Sequence, residues 1–201
     1  MMRSRVSHDG DFRLDLRSAW LFGTEIGRQV PHQPAVLAQA DLRGTYLRGT
    51  KLGSADLRAT NLSNADLRNA DLTSTTLSRA SVVKTDLRGA KLFAADLRHA
   101  FLTEAELSGT DLRSAEMRGA RLPRANLTGA NLKGADLSTV NKEHHGTPLV
   151  GVILDGANLE GANLADADLT GADLSHVKNL TRKQLDSART DAETRLPAAL
   201  S

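Results

Sequence analysis

The stretch ADLRNADLTS, residues 65–74, contains the spacing that decides the fold, because its two leucines, Leu67 and Leu72, stand five residues apart. The spacing continues in both directions in one phase, from Leu37 to Leu137, with Val82 and Met117 in place of leucine. Two residues before each of these apolar residues lies alanine or threonine. A five-residue unit is therefore repeated over about half of the 201-residue chain.

Neither regular element places residues of this period on one face. On an α-helix, five residues advance a side chain by about 500°, so successive leucines drift by about 140° around the axis. On a β-strand, side chains alternate between faces, so an odd step sends alternate leucines to opposite sides. The period of five therefore argues against both a straight helix and a straight strand.

All the leucines face one interior only if the chain turns a corner in every repeat. Glycine or asparagine often stands two residues after the leucine, as at Gly44, Asn64 and Gly89, and these residues favour a bend. A five-residue unit buries too little surface to fold alone, so we expect the copies to stack as a solenoid.

Tandem units of the form A(D/N)LXX, such as ADLRN at 65–69 and ANLTG at 125–129, resemble the pentapeptide-repeat family. The resemblance implies an all-β solenoid, a right-handed quadrilateral parallel β-helix with four pentapeptides in each coil. Residues twenty apart then stack on one wall, as Leu42 would on Leu62.

The predicted β-helix spans 12–180 and follows a disordered tail at 1–11. Residues 12–26 are expected to form an irregular first coil in which Trp20 and Phe22 close the end, and an amphipathic helix is the alternative for this segment. The repeat phase breaks near 27–34 and again near 140–148, where we expect loops.

A short helix is predicted to cover the C-terminal end of the solenoid, within 181–201. Thr181 and Gln184 have the spacing of a capping box, and Leu180 and Leu185 occupy the flanking apolar positions. Such a cap would protect the open edge of the last coil. The alternative is that two open ends pack together, so the chain is expected to be a monomer or an end-to-end homodimer.

Charge on the outer surface is expected to be self-neutralising, because Asp-Leu-Arg places an acid and a base on the same side of one strand. A stretch around Val83 and Phe101 differs, since it is poor in charge and presents apolar side chains. Exposed aromatic residues of this kind can mark a partner site. We therefore assign Val83 and Phe101 to a candidate protein-binding wall.

Two further features carry candidate partner-binding residues. The loop near 140–148 contains the adjacent pair His144 and His145, which lack a clear third ligand for a metal. After it, no Lys or Arg occurs between Lys142 and Lys178. That acidic segment includes Asp155, Glu160, Asp166, Asp168 and Asp173, so the solenoid should be electrically polarised along its axis.

The composition argues against several functional classes. The chain has no cysteine, 3% aromatic residues and a formal net charge of +2, from 26 Lys and Arg against 24 Asp and Glu. No window approaches the roughly 18 apolar residues of a membrane span, and the first residues lack a signal-peptide core. We expect a cytoplasmic protein without cofactors, membrane contact or direct nucleic-acid binding.

No nucleophile, P-loop or metalloprotease motif is present, so the chain is not expected to be an enzyme. The predicted function is a non-enzymatic protein-binding or scaffold role. The resemblance supplies an alternative, since some pentapeptide-repeat proteins imitate DNA, bind DNA gyrase or topoisomerase IV, and protect them from quinolones. The near-neutral composition departs from that pattern, and only the acidic segment would provide the negative surface.

Overall fold

The computed structural model describes residues 35–138 and 152–200. Each strand is reduced to one residue in a parallel β-bridge, and that residue pairs with the one twenty positions later, from Val36↔Asp56 to Glu116↔Asp136. Four five-residue repeats therefore make one coil, which confirms the predicted quadrilateral β-helix. The one helix among the described residues, α1, spans Arg182–Ser187.

The four walls of the solenoid are named here by their bridging residues. Wall 1 is the column Val36, Asp56, Thr76, Asp96, Glu116, Asp136 and Asn163. Wall 2 is the column Asp41, Asn61, Ser81, Phe101 and Arg121. Wall 3 is the column Tyr46, Asp66, Asp86, Glu106, Asn126, Ile153, Asp173 and Arg195. Wall 4 is the column Lys51, Asp71, Lys91, Asp111, Asn131, Asn158 and Lys178.

The interior is filled by the residues that set the period. The central leucines from Leu37 to Leu137 are buried, as are the alanines and threonines two positions before them. Buried threonine hydroxyls are satisfied by backbone carbonyls: Thr45 Oγ1 donates to Leu42 O at 2.7 Å and Thr60 Oγ1 to Leu37 O at 3.0 Å. Threonine thus replaces alanine in the core without leaving an unpaired polar group.

The corners from Gln39 to Gly134 are tight turns with a left-handed residue two positions after the core residue, as the glycine and asparagine pattern predicted. Asn64 has φ 61°, and the N–H of Ala65 donates to the carbonyl of Leu62 at 3.0 Å. A positive φ at this third turn position is the signature of a type II turn. Several corners adopt it with side chains that tolerate it less well, including Ala59 at 54° and Arg79 at 59°.

An insertion changes the stacking register after residue 138. Asn126 pairs with Ile153, which is 27 residues later rather than 20. The interruption therefore adds seven residues to one coil. Asparagine side chains connect the coils across it, because Asn158 Nδ2 donates to Asn131 Oδ1 at 3.3 Å and Asn163 Nδ2 to Asp136 Oδ1 at 3.1 Å.

Helix α1 begins with the predicted capping box. The Thr181 N–H donates to Gln184 Oε1 at 2.9 Å, and the Gln184 N–H donates to Thr181 Oγ1 at 3.3 Å. Gln184 Nε2 also donates to the carbonyls of Leu159 and Ala162, at 2.7 and 2.9 Å. Leu185 is buried, and Leu180 packs partly buried against the core. These contacts hold α1 against the last coil.

The chain after α1 does not form the predicted tail. The helix ends at Ser187, and the backbone then pairs with the last coil through Asp168↔Arg189 and Asp173↔Arg195. Backbone hydrogen bonds to exposed coil carbonyls, such as Arg189 N–H to Ala167 O at 2.9 Å, replace further helical turns. The final residues therefore form part of another coil.

Some sequence predictions concern residues outside the described ranges. These are the tail at 1–11, the first coil or helix at 12–26 with Trp20 and Phe22, and the loops at 27–34 and 140–148. Among the described residues, no helix is long and apolar enough to cross a bilayer.

Candidate protein-interaction surface

The middle of wall 2 is a strip of uncharged side chains, as predicted from the sequence. We call it the uncharged strip and define it as Asn61, Ser63, Ser81, Val83, Phe101 and Thr103. The bridges Asn61↔Ser81 and Ser81↔Phe101 place these residues on consecutive coils. The hydroxyls of Ser63 and Ser81 lie 2.9 Å apart and hydrogen-bond to each other. The strip therefore has a fixed surface with little charge.

Phe101 is the most exposed apolar side chain of the strip, with 40% of its surface accessible. The guanidinium of Arg121, from the next coil, lies over the ring with its Cζ atom 5.4 Å from the ring centroid. Such a cation–π contact contributes about 0.5–1 kcal/mol at an exposed site. Arg121 therefore holds the ring in place on the wall. Val83 is half-buried, so it contributes only part of its surface.

Ion pairs border the uncharged strip. Glu104 lies between two cations, with Lys84 Nζ at 3.5 Å and Arg124 Nη1 at 3.8 Å. On the first coil of wall 2, Arg43 Nη2 lies 2.6 Å from Asp41 Oδ2. A centre poor in charge with a polar rim is a common arrangement in protein interfaces.

Walls 1 and 3 contrast with this strip, because paired charges cover them. On wall 3, Arg68 Nη2 lies 2.5 Å from Asp66 Oδ2, and Arg68 Nε lies 3.5 Å from Asp86 Oδ2 on the next coil. The side-chain hydrogen bond from Arg68 lowers the pKa of Asp66. On wall 1, Arg98 contacts both Asp96 and Glu116, at 2.9 and 3.3 Å. The predicted self-neutralising surface is therefore present.

The acidic segment does not form one negative patch. Asp155 and Asp173 lie on wall 3, Glu160 on wall 4, and Asp166 at the turn after wall 1. Asp168 was predicted as a surface acid, but it is only 9% exposed, and its Oδ1 accepts from the N–H and the hydroxyl of Thr170. The bridge to Arg189 covers this position, which removes Asp168 from the candidate binding residues.

Basic groups from outside the acidic segment neutralise part of it, which reduces the expected polarisation. Two carboxylates have such partners. Glu160 Oε1 lies 2.9 Å from Lys133 Nζ and Asp173 Oδ2 lies 3.5 Å from Arg195 Nη1, whereas Asp155 Oδ1 lies 3.0 Å from Nδ1 of His176 in the same segment. The sequence window from 143 to 177 contains no Lys or Arg, but the neighbouring coils supply them.

The remaining predicted site residues are the histidine pair of the loop and the residues of the helix cap. His144 and His145 lie outside the described residues. Within residues 35–138 and 152–200, no three His, Asp or Glu side chains cluster as a metal ion would require. Thr181, Gln184, Leu180 and Leu185 have structural contacts in and beside α1.

Sequence reasoning missed the aromatic–arginine pairs. Phe93 on wall 4 is 40% exposed like Phe101, and Arg113 Cζ lies 5.5 Å from its ring centroid. Both pairs join residues twenty apart, so the stacking register was the signal that would have revealed them. Ile153, 51% exposed on wall 3, was hidden because the insertion obscured its register.

The pentapeptide-repeat model matches the chain in 8 copies, over residues 35–69, 50–89, 70–109, 90–129, 105–141 and 149–178. These matches cover more than half of the sequence. The chain belongs to the pentapeptide repeat family. Its fold is accordingly the right-handed quadrilateral β-helix of that family. A comparison with curated protein sequences gives no match.

Three solved pentapeptide-repeat structures illustrate the likeness. A protein from the thylakoid lumen of Arabidopsis thaliana is 29% identical, over 51% of this chain and 73% of that one, with a TM-score of 0.47. HetL, which is involved in heterocyst differentiation regulation in the cyanobacterium Nostoc sp., is 30% identical over 82% of each chain, with a TM-score of 0.29. A trypsin-treated form of QnrB1, a plasmid-mediated fluoroquinolone resistance protein, is 17% identical over 88% of this chain and 91% of that one, with a TM-score of 0.45.

Proposed function

We propose that this pentapeptide-repeat solenoid is a non-enzymatic, cytoplasmic scaffold that binds a protein partner through the uncharged strip of wall 2. The observation that carries the proposal is Phe101, an exposed aromatic residue on the last coil of the uncharged strip, which ion pairs border. Aromatic residues in such settings supply much of the binding energy of protein interfaces.

The rigidity of the strip supports the proposal. Its strands are hydrogen-bonded to the adjoining coils, and the Val82 N–H, for example, donates to the carbonyl of Phe101 at 2.8 Å. The ring of Phe101 is further held by Arg121. A preformed surface loses little conformational entropy on binding, which favours affinity.

Photo-crosslinking tests this proposal directly. We would replace Phe101 with the photoreactive residue p-benzoylphenylalanine and irradiate the protein in an extract of its source organism. Phe93 is the matched control, because it has the same exposure and the same kind of arginine contact on the opposite wall. We expect a discrete protein adduct from position 101 and none from position 93.

A second substitution distinguishes specific binding from accidental contact. Val83→Glu introduces a charge into the uncharged strip and should abolish the adduct at position 101, since the partner would have to desolvate an unpaired carboxylate. Equal adducts from both phenylalanine positions, or an adduct that survives Val83→Glu, would contradict the proposal.

The alternative partner is a type II topoisomerase that this chain would protect or inhibit by imitating DNA. The ion pairs of Glu160 with Lys133 and Asp173 with Arg195 argue against it, because they reduce the negative surface that imitation needs. Titrating gyrase supercoiling with the purified protein tests it, with Asp166→Lys as the variant because Asp166 is exposed. Inhibition that this variant loses would replace our proposal, and we expect none.

A further inference from the structure

An open groove of about 590 Å³ lies at the corner between walls 1 and 2. It exists because the residue after the core leucine on wall 1 alternates in length, as Arg58, Ser78 and Arg98 on successive coils. The two arginines are two coils apart, about 10 Å at the usual strand spacing. The short side chain of Ser78 leaves the space between them open.

Both flanking arginines are fixed by carboxylates that use only one edge of each guanidinium. Arg58 donates through Nε and Nη2 to Asp56, at 2.9 and 2.7 Å, and Arg98 donates through the same two atoms to Asp96, both at 2.9 Å. Glu116 also approaches Arg98 Nε, at 3.3 Å. A guanidinium has five N–H donors, so the Nη1 edge of each arginine remains for a ligand.

The coil between them supplies a cation without a matching acid. Thr76 stands where Asp56 and Asp96 stand on the neighbouring coils. Arg79, at the corner of the same coil, is exposed and lines the groove. It forms no ion pair with any residue of the described ranges. The middle of the groove therefore carries the positive charge of Arg79, which no neighbouring acid of the described residues neutralises.

His99 lies exposed at one end of the groove. Its imidazole lies over the left-handed corner at Gly119, so closely that a Cβ atom there would be 2.7 Å from His99 Nδ1. The imidazole of His99 fits there because residue 119 is a glycine and has no side chain. Hydrogen-bond donors thus line the groove on three coils.

We infer that this groove binds the phosphate group of a small molecule, with Arg79 as the principal cation and Arg58 and Arg98 as flanking donors. Planar guanidinium groups suit tetrahedral oxyanions, because they offer paired N–H donors at a fixed spacing. The groove is open and has the volume of an ordinary small-molecule site, which gives room for more than the phosphate itself. This site is separate from the uncharged strip and does not depend on the proposed protein partner.

The test is a titration of the full chain with inorganic phosphate and with adenosine monophosphate, followed by amide chemical shifts. Adenosine is the control without a phosphate. We expect both phosphates, but not adenosine, to shift the amides of Ser78, Arg79 and His99 in a saturable way. A larger affinity for the nucleotide than for phosphate would identify an organic phosphate as the better ligand.

Arg79→Gly is the informative variant, because glycine suits the φ of 59° and the substitution should not harm folding. Arg124→Gly is its matched control: it removes the same charge from the same turn position, at φ 58°, on another corner. We expect Arg79→Gly to weaken phosphate binding at least tenfold and Arg124→Gly to change it less than twofold. Unsaturated shifts in the wild-type chain, or equal weakening by both variants, would overturn the inference.

Discussion

Replacing Leu87 with alanine should destabilise the solenoid strongly, because Leu87 is 1% exposed in the middle of the stack. Its neighbours on the adjoining coils, Leu67 and Leu107, are fully buried. The substitution removes three carbon atoms, worth about 2.4 kcal/mol at about 0.8 kcal/mol each. The lost packing adds to this transfer term, because a cavity remains where the core cannot close.

The backbone around Leu87 limits that closure. The Leu87 N–H donates to Glu106 O at 2.8 Å, and the Leu67 N–H donates to Asp86 O at 2.7 Å, so the coils on both sides are held at a fixed spacing. We therefore expect a loss of about 3–4 kcal/mol in the free energy of unfolding, within the range for buried leucine-to-alanine changes.

Urea unfolding followed by far-ultraviolet circular dichroism measures this loss. With a denaturant slope of about 2 kcal/mol per molar urea, the midpoint should fall by about 1.5–2 M. Arg88→Ala is the control, since the next residue points outward, and its exposed ion pair with Asp86 contributes about 1 kcal/mol or less. Equal midpoint shifts for the two variants would refute the assignment of Leu87 to a rigid core.

Three further substitutions or conditions test other parts of the structure. Hydrogen bonds from Arg68 lower the pKa of Asp66. The ionised Asp66 carboxylate therefore contributes fully to stability above about pH 4, and this contribution is lost as the pH falls through the folded pKa. Urea midpoints that stay constant from about pH 6 to pH 2 would contradict this. Gly119→Ala should destabilise more than Gly109→Ala in thermal melts, because both glycines have φ 66° but only the first would bring a Cβ against His99; equal losses would show that this contact is unimportant. Gln184→Ala removes two hydrogen bonds to the last coil and should cost about 1–3 kcal/mol, whereas an unchanged melting temperature would mean that α1 does not hold that coil.

The period of five was sufficient to predict most of the fold. It placed Leu67 inside, Asp66 and Arg68 outside on the same strand, and Asn64 at a corner, and each of these positions is found in the structure. The prediction succeeded because every repeat has the same local geometry, so a single register describes many contacts. The uncharged strip followed from that register as well.

The sequence was less informative where the repeat is interrupted. The seven-residue insertion conceals that Ile153 continues the column of Asn126, and the pairings of Arg189 and Arg195 are 21 and 22 residues from their partners rather than 20. Those shifts explain why the residues after α1 were predicted to be a tail. They also explain why Asp168 was assigned to the surface.

The sequence also failed to predict which charged residues pair with one another. Counting charges along the sequence predicted an acidic end, but ion pairs form between coils, as in Lys133 with Glu160. The groove at Arg79 was missed for the same reason, since it depends on side-chain lengths on three successive coils. Both features are visible only when residues twenty or more positions apart are compared.

Pairs of introduced cysteines test the central claim, the stacking of coils, most directly, because the natural chain contains none. Residues on adjacent coils lie about 4.8 Å apart, within the range for a disulfide. The pair at Asn61 and Ser81 should crosslink on mild oxidation, as should the pair at Asn126 and Ile153, whereas Asn61 with Asp86, on the next wall, should not. Crosslinking of the 61 and 86 pair, or failure of the 126 and 153 pair, would contradict the four-sided register and its seven-residue insertion.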